Sequence, residues 1–130
     1  MRGCGRHRGR LSLIDWPAFR ALALSLDLPE VVETTSWGHP TLKAFGKLWA
    51  WWSPSEDAPV FKMDKEERAF HIEADPETFF VTDHYRGHNL VLVRPDRLDR
   101  DWAKDRLMRA WRAAAPKRFL KAWDAGKAGP

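Results

Sequence analysis

Apolar positions along the chain change period several times, and each change marks an element. Phe19, Leu22, Ala23 and Leu26 recur at helical spacing behind Asp15, a good N-cap, and Pro17, which suits a first helical turn. This predicts a helix that ends by Pro29. Residues 30–40 carry no such period and read as a connection, whose tail Trp37-Gly38-His39-Pro40 is a turn leading into a sheet.

From Thr41 to Met63 the period falls to two. Gly46-Lys47 reads as a type II′ turn between alternating runs. That register pairs Phe45 with Leu48, Lys43 with Ala50 and Thr41 with Trp52 on one face. Leu42, Ala44, Trp49 and Trp51 share the other face, the core side. After a Ser-Pro-Ser-Glu-Asp loop, a third strand turns Phe61 and Met63 inward and Val60 and Lys62 outward. Asp64 with Glu67 three residues later is a capping box for a second helix, broken at Asp75-Pro76. Phe79 to Thr82 is a fourth strand, residues 83–89 a polar loop, and Leu90 to Arg94 a fifth strand. Asp99 caps a long helix to about Ala115, with Ala103, Leu107, Ala110, Trp111 and Ala114 on its apolar stripe. Beyond Pro116, Phe119 and Trp123 suggest a further turn or two. The order α-β-β-β-α-β-β-α predicts an α+β, two-layer domain: a five-stranded antiparallel sheet with helices on one face.

The chain has 130 residues, long enough for one self-sufficient core, so the expected body is a single domain over residues 11–124. Its net charge of +4 matches the four arginines of residues 1–10, a basic leader without periodicity that is expected to be disordered; residues 125–130 are expected to be a flexible C-terminus. Within the body the charge is uneven. Residues 64–85 sum to −5 and residues 86–130 to +7. A single cysteine excludes an internal disulfide, and no run reaches the roughly 20 apolar residues of a membrane helix. A cytoplasmic monomer, away from membranes, is the expectation.

Catalytic signatures are thin. Gly46-Lys47 lacks both the upstream glycine and the following Ser/Thr of a phosphate loop. His84 and His88 lie in a glycine-containing loop where spacing fixes no geometry, and no third metal ligand is identifiable. Cys4 sits in the leader, where nothing rigid can hold a base beside it. Glu33 lies just before Trp37; a loop carboxylate near aromatics could have a raised pKa, but a helix-end position or a lysine partner is the expected role. No catalytic residue, metal or cofactor is therefore expected. The remaining candidate is the outer sheet face, where alternation sends Lys43, Lys62 and Arg94 the same way as Phe45 and Trp52. Cations neutralise phosphates and rings stack on exposed bases. Lys47 in the turn, and Lys117 and Arg118 after the last helix, add positive charge. Three readings follow: a DNA-binding module using these cations, a domain binding a protein or small ligand through Phe45 and Trp52, and an enzyme using His84, His88 and a carboxylate. The first two are the expected classes.

The residues also resemble a family. Leu24-Ser25-Leu26, Leu28-Pro29-Glu30-Val31, Glu33, Trp37-Gly38-His39-Pro40, Gly46-Lys47, Phe61-Lys62-Met63-Asp64, Phe79-Phe80-Val81-Thr82, Tyr85, Gly87, Ala110-Trp111 and Ala115-Pro116-Lys117 follow the order and spacing of the MmcQ/YjbR family of small bacterial proteins. The resemblance runs from about Asp15 to Lys121. It implies a compact α+β fold like that of secretion chaperones, a double-wing arrangement and a DNA-binding role without a catalytic motif. Lys47 and Lys62 match lysine positions of the family, and Leu90 stands where a tryptophan is often found.

Overall fold

The computed structural model describes residues 15–128; the leader expected over residues 1–10 lies outside them. Helix α1 (Trp16–Leu24) is followed by strands β1 (Val31–Ser36), β2 (His39–Ala44), β3 (Lys47–Ser53) and β4 (Ala58–Lys62), helix α2 (Lys65–Ala74), strands β5 (Phe79–Phe80) and β6 (Leu90–Val93), and helices α3 (Arg100–Ala114) and α4 (Lys117–Ala128). The fold is α+β, as expected, with an antiparallel sheet of six strands rather than five, in the order β1-β2-β3-β4-β6-β5. The added strand is β1, in the stretch expected to be a connection. It pairs with all of β2 from Val31↔Ala44 to Ser36↔His39. A separate α4 extends the far end to Ala128 and so covers the start of the segment expected to be flexible.

The caps explain where the helices begin. Asp15 accepts a hydrogen bond from the Ala18 amide, Asp64 from Glu67 and Asp99 from Asp101 and Trp102, each satisfying amides the helix leaves unpaired. Helix α1 ends at Leu24, before Pro29 is reached.

One face of the sheet receives α1, α3 and α4. Phe19, Leu22 and Ala23 of α1 and Ala103, Leu107 and Trp111 of α3 bury against Leu42, Ala44, Trp49, Ala50, Phe61, Met63, Val91 and Val93, with Phe119, Leu120 and Trp123 of α4 at the margin. The indole N–H of Trp49 donates to the Leu107 carbonyl at 2.8 Å, and that of Trp111 to the Pro29 carbonyl at 2.9 Å. Burial of these large rings therefore leaves their polar atoms satisfied.

On the opposite face a second cluster, Ala58, Val60, Leu90 and Leu92, is roofed by Trp51, Phe80, Val81 and Tyr85. The loop between β5 and β6 crosses this face. Arg68 of α2, buried, anchors it by donating to the carbonyls of Arg86, His88 and Leu90 at 3.0, 2.8 and 3.1 Å.

Candidate functional site

The expected hairpin turn at Gly46-Lys47 is replaced by one at Phe45-Gly46. Ala44 pairs with Lys47, and both central residues have positive φ, 54° and 79°, the hallmark of a type I′ turn. Phe45 therefore leaves the alternation of β2. It turns to the helix side, with its ring 5.6 Å from Trp111 and 5.0 Å from Phe119. A second departure follows at once. Lys43 pairs with Leu48 but Leu42 with Ala50, so Trp49 is an unpaired bulge residue. The bulge reverses the alternation of the rest of β3. Trp52 then faces the helices, its ring 6.2 Å from Phe19 and its N–H on Asp57 at 2.9 Å, while Trp51 takes the outer face. Phe45 and Trp52, expected on the outer surface, are both corrected to the core side.

The cations fare differently. Lys43, Lys62 and Arg94 do project from the outer face, and each lacks an ion-pair partner among the described residues. Two of them sit over rings, although not the expected ones. The Lys62 ammonium lies 5.9 Å from the centre of Trp51 and the Arg94 guanidinium 4.4 Å from that of Phe80. Lys43 and Lys62 both stand two residues beyond the cross-strand row Thr41–Trp51–Val60. They are thus separated by two strand spacings, about 10 Å, with Leu48 between them. Arg94 is not part of that pair. Val60 opposes Leu92, so Arg94 lies on the far side of the row, toward Ala58.

Register assigns Val32, Thr34, Ser36, His39, Thr41, Lys43, Leu48, Trp51, Ser53, Ala58, Val60, Lys62, Phe80, Leu90 and Leu92 to this face, and none is acidic. Glu33 points to the other side, where Arg20 of α1 grips it through two hydrogen bonds of 2.8 Å. Those bonds hold the Glu33 carboxyl below its ordinary pKa. The same arrangement recurs between Arg112 and Asp124, and between Arg106 and Glu67. Arg106 is buried, and only its two terminal nitrogens find the carboxylate. Arg86, Arg97 and Arg106 pair with acids outside the C-terminal third, which offsets three of its seven excess positive charges.

Lys47, Lys117 and Arg118 are exposed and have no ion pair among the described residues. Contact between Phe45 and Phe119 sets the β2–β3 turn against α4, which opens with Lys117 and Arg118, so these two and Lys47 lie toward the end of the sheet that also carries Lys43 and Lys62, with Lys117 and Arg118 on its helix side. His84 and His88 remain in the loop; His84 lies edge-on to Tyr85, and among the described residues no group of three His, Cys, Asp or Glu could hold a metal.

Trp37, placed in a lead-in turn from sequence, is the apex of the β1–β2 hairpin and is 91% exposed. Its signal in the sequence was an aromatic followed by Gly38, the same pattern as Phe45-Gly46.

Fold and surface together define a small α+β domain with one helix-covered and one cation-bearing sheet face. The chain belongs to the YjbR family: the family's model matches residues 26–113, more than half of the chain, from just after α1 to the last turn of α3. No curated protein and no solved structure matches it. No helix among the described residues is long and apolar enough to cross a membrane.

Proposed function

We propose that this chain is a non-catalytic nucleic-acid-binding module, with DNA the expected ligand, that lays a phosphate backbone along the Lys43–Lys62 row and the neighbouring Lys47, Lys117 and Arg118. The observation that carries the reading is a sheet face whose strand residues include cations and no carboxylate, in a molecule that pairs Arg20, Arg106, Arg109 and Arg112 with acids. Leaving cations unmatched beside neutral residues favours a polyanion. The carboxylates with displaced pKa values, Glu33, Glu67 and Asp124, all move downward because an arginine donates to them, which suits structural ion pairs and not proton donors at neutral pH. A cytoplasmic monomer without cofactor goes with this reading. A protein- or small-ligand-binding role through Phe45 and Trp52 loses support because both rings are packed against the helix layer.

The test is fluorescence anisotropy of labelled duplex and single strands between 20 and 300 mM salt (conditions about a physiological range). Binding should weaken steadily with salt. A charge-reversed Lys43→Glu/Lys62→Glu protein should lower the logarithmic slope by roughly 2. Absence of binding at low salt, or binding indifferent to salt, rejects the reading.

A further inference from the structure

Trp37 and Phe45 form an internal comparison. Each is the first central residue of a hairpin turn, each precedes a glycine, and their φ values are 51° and 54°. An L-residue with a bulky side chain is disfavoured there. For Phe45 the strain is offset by packing on Trp111 and Phe119. For Trp37 nothing in the fold offsets it, since the ring is 91% exposed and makes no ring contact among the described residues. A turn of this kind is best served by Asn-Gly. A strained and unburied tryptophan at the tip is what an external contact would require.

We propose that Trp37 is a stacking platform for an unpaired base, so that the hairpin engages single-stranded nucleic acid in preference to a duplex. This rests on the nucleic-acid reading above. The hairpin from Val31 to Ala44 contains one carboxylate, Glu33, which is turned away and held by Arg20. On the outer face it carries Val32, Thr34, Ser36, His39, Thr41 and Lys43; Thr41 is buried, so the polar groups left near the tip are Ser36 and His39, with Lys43 further along. The path from the tip to Lys43 follows about five extended residues, roughly 17 Å. A strand contacting both falls within the roughly 4 to 16 nucleotides that single-strand-binding sheet domains cover. A duplex hides its base faces in the stack, whereas an unpaired base offers one to the ring.

The experiment measures anisotropy of a labelled oligothymidine and a labelled duplex with the wild-type protein, Trp37→Ala, Trp37→Phe and Lys43→Glu/Lys62→Glu. Trp37→Ala should weaken single-strand binding roughly 5- to 100-fold, leave the salt slope unchanged and barely affect the duplex, while Trp37→Phe recovers much of the loss. Ultraviolet cross-linking of a bromouracil-substituted strand should map to Trp37 by mass spectrometry. Equal single-strand affinity of Trp37→Ala and wild type overturns the stacking role. The nucleic-acid reading would then still stand if the charge-reversed protein loses binding. Failure of every oligonucleotide to bind the wild type overturns both. Trp37-dependent sedimentation with phosphatidylserine vesicles, without oligonucleotide binding, overturns both in favour of a membrane surface.

Discussion

Trp37 and Phe45 hold nearly the same backbone angle but differ in what removing the ring should do to the folded protein. Replacing Trp37 with Asn gives the turn its preferred Asn-Gly pair and removes no buried surface. The unfolding free energy from urea titration should stay the same or rise, by up to about 1 kcal/mol on the cost of the left-handed region. Phe45→Ala keeps the backbone strain and opens a gap against Trp111 and Phe119. It should cost about 2–3 kcal/mol, somewhat less than a fully buried ring. Equilibrium urea unfolding followed by circular dichroism separates the two. A loss of more than about 1 kcal/mol for Trp37→Asn would show that the tip is packed after all.

At the scale of elements, what was readable in the sequence depended on whether a local rule was left undisturbed. Helices α1, α2 and α3 were legible from Asp15, Asp64 and Asp99 because a cap is decided by a few neighbouring residues. The β4 and β6 faces followed simple alternation, and Lys62 and Arg94 came out where it puts them. β1 was missed because Val31–Ser36 is short and half polar, and its identity comes from pairing with β2 rather than from its own pattern. Hairpin β2–β3 went wrong twice. A turn placed one residue late misdirected Phe45, and an unmarked bulge at Trp49 exchanged Trp51 with Trp52. So the cations of the candidate surface were legible and its rings were not.

The fixing of the β5–β6 loop was equally invisible from sequence, because three backbone carbonyls, not side chains, receive Arg68. Arg68→Met keeps the apolar stem but strands those carbonyls under the loop. Amides of residues 82–90 should exchange with deuterium much faster, while α1 and the β1–β2 hairpin keep their protection; the loss of stability should be about 2–3 kcal/mol. Uniform acceleration across the sheet would contradict a local anchoring role.

For the whole molecule, three bidentate ion pairs join successive parts of the fold: Arg20–Glu33 ties α1 to β1, Arg106–Glu67 ties α3 to α2, and Arg112–Asp124 ties α3 to α4. The first and last are well exposed, and such pairs contribute little individually. Glu67 is different, because its partner Arg106 is only 8% exposed and the Arg106 Nε has no hydrogen-bond partner among the described residues. Removing the carboxylate charge leaves a buried guanidinium poorly compensated. Glu67→Gln should therefore cost about 1–2 kcal/mol at pH 7, a figure already reduced for the partial exposure of Glu67. The hydrogen bonds from Arg106 lower the pKa of Glu67 in the folded state below its ordinary 4.5. A carboxyl with a depressed folded pKa contributes its stability in full above the unfolded value and loses it as pH falls through the folded one. Urea midpoints of wild type and Glu67→Gln should accordingly differ by a constant amount from pH 7 down to about 5 and converge below pH 4.5 as Glu67 takes up its proton. A gap that persists unchanged into that acid range would mean that the variant acts through packing rather than charge, and that Arg106 is held by something other than its carboxylate.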